Sequence, residues 1–188
     1  MSNTQAAAEH SRKSNRYGMT AAAVMTAATC VLAPISVPIG PVPITLANLV
    51  IYFSVYLLGW RLGTISCAVY VLLGAFGLPV FSGFAGGLGK LLGPTGGYIV
   101  GYIFMAAVGG AAVERFRNIW AQLAGLAAGT LNCYALGTAW FCHTAKTALL
   151  PALSLAVFPF IPFDAAKMLI AVFTGPIVRD RVAKSAKH

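Results

Sequence analysis

Few side chains in this sequence can do chemistry, and their scarcity makes them easy to find. Of the four acidic residues, Glu9 lies in a polar N-terminal stretch, while Glu114 and Asp180 stand beside arginines at the ends of apolar runs. Only Asp164 falls in or near an apolar segment, in Phe160-Ile161-Pro162-Phe163-Asp164-Ala165-Ala166-Lys167. A carboxylate at mid-membrane costs roughly 2.5–3.5 kcal/mol on insertion scales, less near the interface, so something must compensate it. Lys167 is three residues on, on the same helical face. Pro162 suits a helix start, which puts Asp164 in the first turn, where the helix dipole favours an anion. Two readings remain. The pair satisfies itself and caps the helix, or it forms a ligand site at the outer end of a helix bundle. An ionisable residue inside a membrane favours the second.

Nothing competes with this pair as a reaction centre. The apolar segments hold no second carboxylate for acid–base work, no H-x-x-x-H, no G-x-S-x-G and no P-loop. His143 is a lone histidine near the end of an apolar run and reads as an interfacial polar residue. Cys30, Cys67, Cys133 and Cys142 sit in apolar runs without a C-x-x-C pair, so neither a zinc site nor a redox dithiol is indicated. The residues ask for no metal, cofactor or catalysis. Any transport must be driven by another subunit or by the solute's own gradient.

The elements that position the pair follow from composition. Of 188 residues 59% are hydrophobic and 9% are charged, with a mean hydropathy of +0.80. Soluble chains carry about 25% charged residues, so a soluble enzyme, a nucleic-acid module and a disordered chain are all excluded, despite a net charge of +9. The expectation is an all-α integral membrane protein. About 20 apolar residues cross a bilayer, which gives six spans, near Met19–Val37, Ile44–Trp60, Leu62–Phe81, Thr95–Val113, Ile119–Cys142 and Phe160–Val178. A basic start followed by an apolar stretch also fits a signal peptide. The first run is long enough to span, however, and reads as a permanent helix. Residues 1–18 then form a polar tail in water, 19–178 the membrane domain and 179–188 a basic tail.

Cationic residues give the orientation. With the N-terminus inside, Arg12, Lys13, Arg16, Arg61, Arg115, Arg117, Arg179, Arg181, Lys184 and Lys187 are cytoplasmic, and only Lys90 and Lys146 are outside. Both termini are therefore expected in the cytoplasm of a cell-membrane protein. The outer connections are nearly uncharged and rich in proline and glycine, with Pro38-Ile39-Gly40-Pro41-Val42-Pro43 in one and seven glycines between Gly83 and Gly97 in the other. Irregular backbone at membrane depth needs burial in protein or a cavity, so these loops are expected to fold back and close a pocket. Tyr98 opens a span on that side and can face such a pocket, although most tyrosines in the spans suit an interface belt. Helix one carries Ala23 and Ala27 four apart, small enough for another helix to approach, whether within the bundle or from a partner.

Gly40-Pro41-Val42-Pro43-Ile44-Thr45, Gly77-Leu78-Pro79-Val80-Phe81, Gly86-Gly87-Leu88-Gly89 and Leu92-Gly93-Pro94-Thr95-Gly96-Gly97-Tyr98 resemble the BioY family, the biotin-binding S components of energy-coupling factor transporters. The spacing of Pro162, Asp164 and Lys167 matches as well. The similarity runs from about residue 19 to 178, and the block from Gly86 to Tyr98 is its most specific part. It implies a six-helix S-component bundle that captures biotin at the outer side, beneath the first loop and the loop between helices three and four. It further implies docking of Ala23 and Ala27 on a transmembrane coupling subunit driven by two ATPases. The ligand-site candidates are then Asp164, Lys167, Tyr98, Lys90, Gly86 and Thr45. Asp164 suits the ureido N–H groups, and Lys167 or Lys90 suits the ligand carboxylate. Lys90 departs from the apolar residue that the family block leads one to expect. Another small vitamin as ligand, or a solitary biotin transporter without ATPase partners, are the alternatives.

Overall fold

The computed structural model describes residues 3–38 and 41–185, so Ile39 and Gly40 of the first loop motif and Lys187 of the basic tail lie outside the described residues. The chain is mostly helical: α1 (Asn3–Leu32), α2 (Ala47–Ala75), α3 (Leu88–Leu92), α4 (Gly96–Arg115), α5 (Ile119–Ala145), α6 (Leu149–Ala156) and α7 (Ile161–Ser185). Two short strands, β1 (Ser36–Val37) and β2 (Ile44–Thr45), pair antiparallel with Ser36 opposite Thr45. Among the described residues three helices are long and apolar enough to cross a membrane: α2, α4 and, over Ile161–Val182, α7.

Helix α2 holds two of the expected segments. Gly59 sits inside it at φ 79°, ψ 179°, far from helical values. Only glycine adopts that conformation without strain, and the chain reverses there. Gly63 consequently lies so near Val55 that a Cβ would stand 3.0 Å from its Cγ1. In one straight helix those residues would be two turns apart. The expected break between Trp60 and Leu62 is thus a tight turn one residue earlier, and helical segments overlap each of the six expected runs.

Several boundaries differ from the sequence expectation. Helix α1 begins at Asn3, within the stretch read as a tail in water, and it ends at Leu32 rather than Val37. Pro34 explains that end, because a proline disfavours helical backbone in the residue before it. The second half of α2 stops at Ala75 rather than Phe81, where Gly77 turns to φ 101°. Helices α3 and α6 lie in stretches between the expected spans, whereas β1 takes the end of the first expected span, Met19–Val37, and β2 the start of the second, Ile44–Trp60.

Helix α2 is central: it packs on α1, α4 and α7, and α4 packs most extensively on α5. The two glycine-rich connections do fold back onto this bundle. Phe81 is fully buried, edge-on to Tyr70 with ring centroids 5.7 Å apart. Gly87 N–H donates to the Gly74 carbonyl at 2.7 Å, and Gly83 N–H donates to the Pro34 carbonyl at 3.1 Å, which ties the two connections together. Tyr52, Tyr56, Met105, Leu126 and Val172 fill the core between α2, α4, α5 and α7.

Candidate ligand-binding site

Four helices deliver side chains to one end of the bundle. Asn48 stands in the first turn of α2, Tyr98 in the first turn of α4, Tyr134 in the second half of α5 and Asp164 in the first turn of α7. The turns that carry Arg61, Arg115 and Arg117 lie at the opposite end.

Asp164 is the hub. It is 2% exposed, and Lys167 is 9% exposed. Lys167 Nζ donates to Asp164 Oδ1 at 3.0 Å and to the Thr45 carbonyl at 2.7 Å. Asn48 Nδ2 donates to Asp164 Oδ2 at 3.0 Å, and Tyr134 Oη donates to the same oxygen at 2.6 Å. A carboxylate offers about four lone-pair sites, so three are occupied from within the chain. This is the only salt bridge among the described residues. A buried pair survives in an apolar interior when further hydrogen bonds satisfy both partners, and here Thr45, Asn48 and Tyr134 supply them.

Tyr98 joins from the side. Its hydroxyl lies 3.0 Å from Thr138 Oγ1 and donates to the Ala156 carbonyl at 3.3 Å. Gly137 makes room, because a Cβ there would strike the Tyr98 ring. Thr45 Oγ1 lies 3.5 Å from Tyr102 Oη and accepts from Ala47 N–H at 3.3 Å. Together Thr45, Asn48, Tyr98, Tyr102, Tyr134, Asp164 and Lys167 line a narrow, largely filled recess with a cavity volume of about 30 Å³. Its other walls are Val42, Pro43, Cys133, Ala156 and Phe160. One part of the lining is therefore a dense set of donors and acceptors with no net charge, and the rest is apolar or aromatic. Such a recess suits a small molecule with a compact polar head on an apolar body.

Of the candidates from sequence, Asp164, Lys167, Tyr98 and Thr45 meet at this recess. Thr45 reaches Lys167 through its backbone carbonyl. Gly86 and Lys90 are not brought there. Gly86 is exposed and sits so close to the Leu78 carbonyl that a side chain would collide with it. Lys90 is half-buried on α3 and is absent from the lining. The second loop packs over the neighbouring Tyr70–Phe81 cluster instead of the recess. Lys167 is bound to Asp164, which answers whether the two form a pair. Ala23 and Ala27 are exposed, along an apolar groove with Leu62, Ile65 and Val69 of α2. Thr26, between them in sequence, faces inward, with its hydroxyl 2.9 Å from Ser66 Oγ. His143 is exposed on α5, apart from the recess. Sequence reading missed Asn48 altogether and left Tyr134 among the belt tyrosines. The available signal was an asparagine inside an apolar run, since an uncharged polar side chain there still needs a partner.

The "Biotin transporter BioY" of Thermotoga maritima is 42% identical over 153 residues, 80% of this chain and 88% of that protein. The "Probable biotin transporter BioY" of Pyrococcus horikoshii is 38% identical over 150 residues, 80% of this chain and 88% of its own length. A solved structure described as the S-component for biotin from an ECF-type ABC transporter superposes with a TM-score of 0.82 at 30% identity, covering 96% of this chain and 95% of that one. The sequence model of the BioY family matches residues 4–184, and with a match over nearly its whole length this chain belongs to the BioY family.

Proposed function

We propose that this protein is the membrane-embedded subunit that captures biotin for uptake. The observation that carries this is the neutral, hydrogen-bonded Asp164–Lys167 pair at the polar end of an otherwise apolar recess. Biotin has a ureido group at one end and a carboxylate at the far end of its valeryl chain. Asp164 and Lys167 are 3.0 Å apart, so they can serve only one of those ends. The ureido group fits: its carbonyl accepts from Lys167, and an N–H donates to the remaining lone pair of Asp164. An anionic carboxylate would instead approach Asp164 and be repelled. The fused rings then rest on the apolar walls near Phe160, and the carboxylate points to the open mouth, where water solvates it. Lys167 thus belongs to the ureido end, not to the ligand carboxylate.

Further parts of the reading rest on fold and charge. All six long helical segments cross the cell membrane, with residues 19–178 as the embedded unit and both termini in the cytoplasm. The recess then opens outward, and the arginine turns face the cytoplasm, in keeping with the cationic asymmetry. A transmembrane coupling subunit docks along exposed Ala23 and Ala27, and two ATPases supply the energy. The groove beside those alanines supports that contact, because small residues let another helix approach closely.

Calorimetric titration of the purified chain with biotin, biotin methyl ester and 2-iminobiotin tests the assignment. Biotin and its ester are expected to bind within about tenfold of each other. Iminobiotin, whose ureido carbonyl is replaced, is expected to bind at least tenfold more weakly, the loss of about one hydrogen bond to a charged group. Loss of binding on esterification alone would place the carboxylate at Lys167, and no binding at micromolar biotin would remove the reading.

A further inference from the structure

The end of the bundle opposite the recess carries a second built feature that the capture of biotin does not use. The turn at Gly59 brings Trp60 against α4. Trp60 N–H donates to Glu114 Oε1 at 2.8 Å, and the Trp60 backbone packs on Gly110. Arg61 follows Trp60, Arg115 follows Glu114, and Arg117 is two residues further, so one hydrogen bond gathers three arginines at one corner. None of them has a carboxylate partner among the described residues, because Glu114 is turned to the Trp60 backbone and the single salt bridge lies at the other end. The Arg61 guanidinium lies 5.3 Å from the centre of the Trp60 ring.

Exposed aromatics neighbour the charges in the chain: Trp60 is 39%, Phe116 47% and Trp120 72% exposed. Tryptophan at a membrane boundary seats its ring at headgroup level. Arginine binds phosphate oxygens through a planar two-pronged set of donors. We infer that the corner formed by Arg61, Arg115 and Arg117 between Trp60 and Trp120 is a binding site for the headgroup of an anionic phospholipid. The occupant is a lipid rather than a free anion, because the charges stand at the ends of apolar helices, beside rings whose exposed parts lack apolar cover in the protein. The glycerol and acyl chains of a lipid would supply that cover.

The full-length protein in dodecylmaltoside, with phosphatidylglycerol or phosphatidylcholine added, tests this by native mass spectrometry and by thermal unfolding. Phosphatidylglycerol is expected to bind more tightly than phosphatidylcholine and to raise the midpoint, less so as salt increases. In the Arg61→Gln/Arg115→Gln/Arg117→Gln variant the preference is expected to fall roughly a hundredfold, at about fivefold per arginine near a lipid surface. Biotin affinity is expected to stay unchanged in that variant, which separates this inference from the reading of the recess and shows that the fold persists. An Arg179→Gln/Arg181→Gln variant controls for general loss of charge. Equal preference in the two charge variants, equal binding of the two lipids, or full stabilisation by inorganic phosphate alone would overturn the site.

Discussion

Replacing Asp164 by asparagine keeps the shape of the hub and removes its charge. Asp164 accepts from Lys167, Asn48 and Tyr134 at 3.0, 3.0 and 2.6 Å. After the change Lys167 keeps the Thr45 carbonyl but has no counter-ion at 9% exposure. Removing one partner of a buried pair costs about 3–5 kcal/mol, mostly from the charge left behind. For a chain of this size, each kcal/mol moves the unfolding midpoint by roughly 2–4 °C, so a fall of about 10 °C is expected. Lys167→Met should cost a comparable amount, because Asp164 then keeps only neutral donors. The double variant Asp164→Asn/Lys167→Met buries no charge. It should lose markedly less than the sum of the singles, with a coupling of about 1–3 kcal/mol. Thermal unfolding of the four proteins in one detergent gives the cycle, and biotin titration at a temperature where all are folded gives the second reading. Each single variant should bind at least tenfold more weakly, since one charge-assisted bond to the ligand is worth about 1.5–3 kcal/mol. Additive losses of stability, or undiminished biotin affinity in Asp164→Asn, would refute the view that this pair is both structural hub and ureido anchor.

Tyr134→Phe removes the 2.6 Å bond to Asp164 and should weaken biotin about tenfold with a smaller loss of stability, measurable by the same titration. Gly59→Ala places a Cβ at φ 79° and against the Glu114 carboxylate. The midpoint should drop by several degrees while biotin affinity is retained, because that turn lies far from the recess. Ala23→Leu/Ala27→Leu fills the exposed groove on α1. Co-purification with a coupling subunit should fall while biotin binding persists, and loss of biotin binding would mean that this face packs inside the bundle.

How legible the site was depends on the kind of residue. Asp164 and Lys167 stood out because charges are costly in apolar surroundings, and their i, i+3 spacing made the pair readable within a single helix. Tyr98 was legible from its place at the outer start of a span, whereas Thr45 entered through motif resemblance, which could not separate it from Gly86 and Lys90. Whether a loop residue faces the recess or the neighbouring cluster depends on how the loop packs. Asn48 and Tyr134 bind the carboxylate from 116 and 30 residues away. Both are neutral, so neither carries the cost that singles out a charge, and only the amide of Asn48 broke the apolar pattern.

The sequence by itself determined the apolar surroundings and the helical class, and it put a break at Arg61, close to the turn at Gly59. Those follow from local terms: the cost of charge in lipid, the length needed to cross it, and backbone freedom at glycine. Tertiary structure alone decided that the Thr45 carbonyl meets Lys167, and that side chains from α2, α5 and α7 share one carboxylate. Each of these is a meeting of segments far apart in the chain. A buried polar group takes whichever partner the packed bundle brings within 3 Å, and no local pattern records which one that will be.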